Sequence, residues 1–265
     1  MKNEKIEIIY EDENILVIDK PAGIIIYPEE PTKEKTLNCG AIAHCSHTAG
    51  SEASGSLIDH LLEKFFFLKK VGEPPRYGII HRLDKDTSGI LLVAKNNKAL
   101  DFLQKQFKAG EVLKKYLALI TGNLKTNRGT IETLIGRAPK NRKKQKAYSL
   151  YGPEAKRRGL RKAITEYKVL GRFKDYTLVE ASPKTGRRHQ IRCHLSYLGH
   201  PIVGDKIYGF KNQPRPDNLK RHFLHANYLK IELPTGQEKE LCSQLPKDLK
   251  NILESLTKNY YGNKN

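Results

Sequence analysis

The chain of 265 residues carries 48 Lys and Arg against 29 Asp and Glu, a formal net charge of +19. That length suits one large domain or two small ones with a substantial core, and that imbalance predicts a polyanion as partner. No run approaches the ~18 apolar residues of a spanning helix, and the opening MKNEKIEIIYEDEN lacks the apolar core and cleavage site of a signal peptide, so a cytoplasmic protein off the membrane is expected.

Residues 6–10 and 14–19 read as two strands joined by a turn at Glu11-Asp12-Glu13. Pro21 stops the second strand and Gly23 lets the backbone bend. Residues 30–56 have the flexible composition of a surface insertion. Within it Cys39, His44, Cys45 and His47 cluster without the paired Cys-x-x-Cys spacing of a zinc site. With Cys193 and Cys242 the only other cysteines, free thiols are expected and no metal. Ser56 caps a helix whose Leu57, Leu61, Leu62 and Phe65 share a face.

A basic connector with Pro74-Pro75 leads to residues 77–95, YGIIHRLDKDTSGILLVAK. Two apolar, strand-like runs flank a polar turn from His81 to Gly89, and such a loop, held by buried strands, is a common seat of chemistry. It sets Asp84 beside Arg82, with Asp86 as a competing carboxylate; Asp86, Thr87 and Ser88 read as hydrogen bonders that stabilise the turn. Asn97 starts a second helix, with Ala99, Leu100, Leu103 and Phe107 on its buried side and Gly110 at its end. The strand over residues 111–120 carries Lys115 and Tyr116.

Between Arg137 and Lys162 stand eleven Lys and Arg against the single acid Glu154, with Tyr148 and Tyr151 interleaved. One-sided charge with aromatics suits phosphate contact and base stacking, so Arg142, Lys143, Lys144 and Lys146 are expected to touch RNA. Strands follow over residues 163–171 and 175–182. A turn at Pro183, Thr185 and Gly186 precedes a helix from Arg188 through Leu198, with His189, Arg192 and Ser196 on one side. His189 and His194 lie ~140° apart on that helix, which does not suit a metal pair, so they and His81 are read as structural hydrogen bonders. Short strands and loops fill residues 201–234, a closing helix spans residues 246–256, and the tail from Lys258 is expected to fray. No internal repeat is visible, and residues 1–257 are expected to form one domain with no accessory RNA-binding module ahead of it.

His81-Arg82-Leu83-Asp84 with Thr87-Ser88-Gly89 resembles the signature of the RluA-type RNA pseudouridine synthases. Further blocks of that family appear in order: Ile15 to Gly23, Lys115-Tyr116, Ala163 to Tyr167, Thr185 to His194, Gly199 to Asp205, and Phe223-Leu224-His225-Ala226. Together they reach from about residue 8 to about residue 249. The chain departs from the pattern at Tyr27, where relatives usually have histidine before proline. The resemblance implies an α+β fold: a mixed, mostly antiparallel sheet split by a basic cleft, with helices around it. It implies that uridines in ribosomal or transfer RNA are isomerised to pseudouridine, by a monomer, with Asp84 as catalyst, Arg192 as its partner and Tyr116 against the base.

The chemistry asks for little else. Breaking the N1–C1′ bond and rejoining the base through C5 oxidises nothing and transfers nothing, so no cofactor, metal or ATP is expected. A carboxylate could act as nucleophile or take a proton from the sugar. Desolvation in a pocket would protonate it; a guanidinium within ~4–6 Å reverses that by roughly 1–3 pKa units. Flipping the nucleotide costs a few kcal/mol, and a stacked aromatic returns ~1–3 kcal/mol of it. Arg82 suits a role in pushing or holding the flipped uridine, Arg187 belongs to the same positive wall, and Leu224 closes the pocket. The competing function is a non-catalytic RNA-binding or ribosome-assembly protein, which has no need of a lone carboxylate among cations. A methyltransferase would need a glycine-rich cofactor loop, which is absent.

Overall fold

The computed structural model describes residues 6–27 and 55–261, apart from the side chains of Arg142 and residues 259–261. The Cys39, His44, Cys45 and His47 cluster and most of the expected insertion lie outside the described residues. Two strands, β1 (Glu7–Glu11) and β2 (Ile15–Lys20), open the chain. Their turn is tied by Asp12, whose Oδ1 accepts the N–H groups of Asn14 and Ile15, both at 2.7 Å. Helix α1 (Leu57–Lys64) starts where Ser56 donates its N–H to Asp59 at 2.8 Å. It buries Leu57, Ile58 and Leu61.

The central stretch gives one strand, not two. Ile90 to Val93 belong to β3 (Ser88–Ala94), but Ile79 and Ile80 make only an isolated bridge to Val93 and one N–H bond to Leu92. Two apolar residues are too short a run to sustain a ladder. Helix α2 (Asn97–Ala109) is capped by Asn96, which accepts the N–H of Ala99 at 2.9 Å, and ends at Gly110 with φ +80°. It is followed by β4 (Leu113–Thr121), β5 (Arg128–Ala138), β6 (Asn141–Tyr148), β7 (Arg161–Arg172) and β8 (Tyr176–Pro183). The first part of the basic segment, through Tyr148, therefore closes a hairpin, and the rest is the connection to β7. Ile131, Thr133 and Ile135 alternate into the interior along β5, while the basic residues concentrate on β6 as Arg142, Lys143, Lys144 and Lys146.

Helix α3 (Gln190–Tyr197) starts two residues later than expected, because His189 is left-handed at φ +54°. The remaining elements are β9 (Leu224–Glu232), β10 (Glu238–Cys242) and α4 (Lys247–Tyr261). Helix α4 extends past residue 256 to Tyr261, into the segment expected to fray, whose last residues, 262–265, lie outside the described residues. Among the described residues, no helix is long and apolar enough to cross a membrane.

All ten strands form one sheet in the order β1-β2-β3-β9-β4-β8-β7-β5-β6, with β10 also on β9. Among the described residues only β3 and β9 pair in parallel, through Ser88 with His225 and Gly89 with Ala226. This is the mixed, mostly antiparallel arrangement. The parallel join is short, and it needs glycine: at φ +116° a Cβ on residue 89 would strike the backbone of Ala226. On one side of the join β1–β3 pack with α1 and α2; on the other β4 and β8 pack with α3 and α4. Tyr116 touches both cores, so it marks the seam.

Candidate active site

Along that seam opens a cavity of about 740 Å³. Among the described residues, its lining includes eight Lys or Arg and one carboxylate, Asp84. The field at its mouth is thus positive, which attracts phosphate and opposes protonation of that carboxylate.

The loop bearing Asp84 is fixed from three sides. The N–H of Thr87 bonds the carbonyl of Asp84 at 3.1 Å and closes the turn. His81 accepts the N–H of Leu92 at 3.2 Å and stacks on Phe107 with ring centroids 5.1 Å apart. Burial and then Lys114 push its imidazole down to about 3, so it stays neutral. Below the loop, fully buried Lys20 donates to the carbonyls of Pro21, Ile24 and Lys85 at 2.7, 3.0 and 3.0 Å. That ammonium straps the Lys-Pro-Ala-Gly turn to the loop of Asp84; burial, then Arg221, brings it down to about 7. Thr87 and Ser88 do not stabilise the turn with their side chains. They reach far along the chain, to His222 at 2.8 Å and His225 at 3.0 Å, because the parallel join with β9 places those rings beneath them. Asp86 is not part of the cavity lining.

Arg192, 5% exposed, projects from α3 to meet this loop. Its NH1 donates to Oδ2 of Asp84 at 2.7 Å. Its Nε and NH2 donate to the two oxygens of Asp205 at 2.7 and 2.9 Å. Asp205 in turn accepts the N–H groups of Ile207 and Tyr208 at 2.9 and 3.0 Å. Burial works to raise the Asp84 carboxyl, but His189 and Arg192 outweigh it and hold it below the usual range. Asp205 closes one of the family blocks, yet the sequence alone gives it no role. The available clue is that a buried guanidinium holding one carboxylate end-on leaves N–H groups that need a second acceptor.

The turn before α3 aims a further residue at the site. Gln190 ties residues 185–190 to β7, accepting from Thr185 and Arg187 and donating to Ile164 and Thr165. This leaves His189 in a left-handed conformation that costs about 1–2 kcal/mol for a residue with a Cβ. Its Nε2 lies 3.8 Å from Oδ1 of Asp84. Burial pushes its imidazole down to about 4. His194, by contrast, is a buried tie between Thr133 and Thr165 at 2.9 and 2.8 Å.

Tyr116, Arg82, Arg187 and Leu224 line the same cavity as Asp84 and Arg192. Tyr116 sits where β4 pairs Ala181 on one side and Ala226 on the other. Burial, then the charge of Asp84, raises its phenol, which stays protonated. Arg82 is exposed at the rim and donates to the hydroxyl of Tyr27 at 3.2 Å. Arg187 donates to the carbonyl of Lys162 at 3.0 Å. Lys143, Lys144 and Lys146 do not line the cavity but stand on β6, the last strand of the sheet order; the side chain of Arg142 is outside the described residues. Tyr148 is 4% exposed and holds Arg157 at 2.8 Å, so it offers no stacking face, whereas Tyr151 is 95% exposed. Cys193 is buried and Cys242 exposed, both free.

A family model described as RNA pseudouridylate synthase matches residues 14–197. The chain is 40% identical over 248 residues to "Ribosomal large subunit pseudouridine synthase D" of Borreliella burgdorferi, covering 92% of this chain and 67% of that protein. It is 36% identical over 256 residues to "Uncharacterized RNA pseudouridine synthase YlyB" of Bacillus subtilis, covering 96% and 74%. Among solved structures, human RNA pseudouridylate synthase domain containing 1 superposes with a TM-score of 0.67 at 27% identity, covering 96% of this chain and 95% of that one.

Proposed function

The chain belongs to the RluA-type family of RNA pseudouridine synthases and is an isomerase acting on RNA, and from that premise we propose that Asp84 carries out the reaction on a uridine of large-subunit ribosomal RNA. The contact of Arg192 NH1 with Asp84 Oδ2 at 2.7 Å, on the wall of an open basic cavity, carries this reading. The carboxylate is ionised, aimed, and still 20% exposed, so a ribose can reach it.

The flipped uridine enters between the loop of Asp84 and the Tyr116 seam. Asp84 attacks C1′ and is later displaced by C5, or takes a sugar proton and later returns it; in either case the N1–C1′ bond breaks, the uracil turns, and C5 forms the new bond to C1′. The hydrogen on C5 leaves and N1 regains one, so atoms balance without a co-reactant. Tyr116 and Leu224 flank the base, and Arg192 keeps the carboxylate unprotonated. Arg82, at the rim, holds the vacated strand. Arg187 and the lysines of β6 contact phosphates.

The name of the Borreliella relative supports large-subunit ribosomal RNA as the substrate class. Pseudouridine mapping across all RNA, in cells with and without the gene, tests it. Loss of one or a few large-subunit positions is expected; loss confined to transfer RNA would contradict the substrate assignment.

A further inference from the structure

Tyr208 stands between the basic hairpin and the catalytic loop. Its hydroxyl oxygen accepts the backbone N–H of Gln145, on β6, at 2.8 Å. The same hydroxyl lies 3.1 Å from Nδ1 of His189. The other ring nitrogen, Nε2, lies 3.8 Å from the Asp84 oxygen that Arg192 does not hold. For a neutral imidazole, one assignment of protons satisfies all three contacts. The phenol has a single proton, and with its oxygen already serving as acceptor that proton goes to Nδ1. Nε2 then keeps the ring proton and points it at the carboxylate. The opposite tautomer would set a lone pair against an ionised oxygen.

We propose that His189 is a positioning residue for the isomerisation: fixed by Tyr208 as its Nε2–H tautomer, it steers the free oxygen of Asp84 toward the ribose. The proposal rests on Asp84 being the catalytic carboxylate. At 3.8 Å the contact is longer than a hydrogen bond, so the oxygen is guided without being captured and remains open to substrate. The left-handed backbone of His189 is what turns the ring out of α3 and into this position. Tyr208 is itself held by several contacts. Its N–H bonds Asp205 at 3.0 Å, and its ring meets that of His189 edge-on at 5.8 Å and the ammonium of Lys144 at 5.2 Å. The aim of Asp84 is thereby tied to the strand that carries the basic side chains.

The ionisable groups that face Asp84 and His189 are Arg188 and Arg192 from α3 and its preceding turn, and Asp205 and Tyr208 from the loop after it. His222 faces them from before β9, Tyr116 from β4 and Lys20 from β2. None of these but Tyr208 is altered in the test.

RNA extracted from cells lacking the gene, grown on uridine tritiated at C5, is the probe, since isomerisation releases that hydrogen. His189→Leu and Tyr208→Phe are expected to slow single-turnover release about tenfold or more, the range for losing an orienting partner. RNA affinity by filter binding should stay within about twofold. The acid limb of the rate should move to higher pH, because the carboxylate loses the N–H dipole that faces its free oxygen. His189→Gln, which can offer an N–H in the same place, should keep most of the rate, and its comparison with His189→Leu decides the matter if Tyr208→Phe loses its fold on melting. Unchanged rate and pH limb in both variants, with Asp84→Asn inactive, overturn this proposal alone. Equal losses in His189→Gln and His189→Leu also overturn it. An active Asp84→Asn enzyme overturns the catalytic reading and this proposal with it.

Discussion

Arg192 gives one N–H to Asp84, at 2.7 Å, and two to Asp205, at 2.7 and 2.9 Å. The carboxylate that faces the cavity is thus held end-on, and the one that faces the interior is held by the fork. This division lets a single guanidinium be anchored and yet leave one oxygen of Asp84 uncovered.

Asp205→Asn tests the anchor. It removes a charge from a fully buried pair while leaving Arg192 in place, and breaking such a pair costs about 3–5 kcal/mol when nothing compensates. Because amide and backbone contacts persist, the lower end is expected, with turnover reduced at least about tenfold as the guanidinium swings toward Asp84. Urea denaturation and single-turnover kinetics check it; wild-type values for both would make Asp205 dispensable.

Acid sensitivity has two stages with a defined sign. Burial pushes His189, His194, His222 and His225 down to about 4, and His81, with Lys114 adding to it, to about 3. Between those values and the ordinary histidine value of about 6.5 the unfolded chain binds more protons, so stability rises with pH there. Asp84 and Asp205 are held below the ordinary carboxylate value, and their contribution is lost only as pH falls through about 4 and lower. Urea midpoints should begin to drop near pH 6.5 and continue below pH 4. A midpoint that stays flat from pH 7 to 5 would contradict the neutral, buried imidazoles.

Tyr116 separates stacking from proton chemistry. Its phenol stays protonated, so Tyr116→Phe should keep RNA affinity and show whether the hydroxyl matters to rate. Tyr116→Ala should lose about 1–3 kcal/mol of substrate binding, a stacked base's share. Equal affinity in Phe and Ala variants, measured by filter binding, would leave Tyr116 as packing at the seam.

The basic hairpin should act through phosphates. Changing Lys143, Lys144 and Lys146 to Gln should flatten the slope of log affinity against log salt by about 0.7–0.9 for each phosphate no longer neutralised. An unchanged slope would place the RNA on another face.

Local patterns in the chain are good guides to local structure. Asn96 and Gly110 bound α2, and the alternation in residues 163–182 forms β7 and β8, because caps and strand period are written within a few residues. The hairpin β5–β6 is obscured on the β6 side, where the inward Gln145 and Ala147 carry almost no apolar signal between the lysines. The meeting of Asp84 and Arg192, 108 residues apart, has no local signal and is foreshadowed only by the family resemblance. The site roles of His189 and Asp205 are hidden for a related reason. A left-handed histidine opening a helix breaks the expected register, and the second acceptor of a guanidinium shows itself only once the first is placed.

The most direct measurement is release of C5 hydrogen by Asp84→Asn, a near-isosteric change that keeps an acceptor for Arg192. The expected variant is a folded protein that binds RNA as before and turns over about 10²–10⁴-fold more slowly or not at all. Turnover at the wild-type rate would show that the reaction runs without the carboxylate.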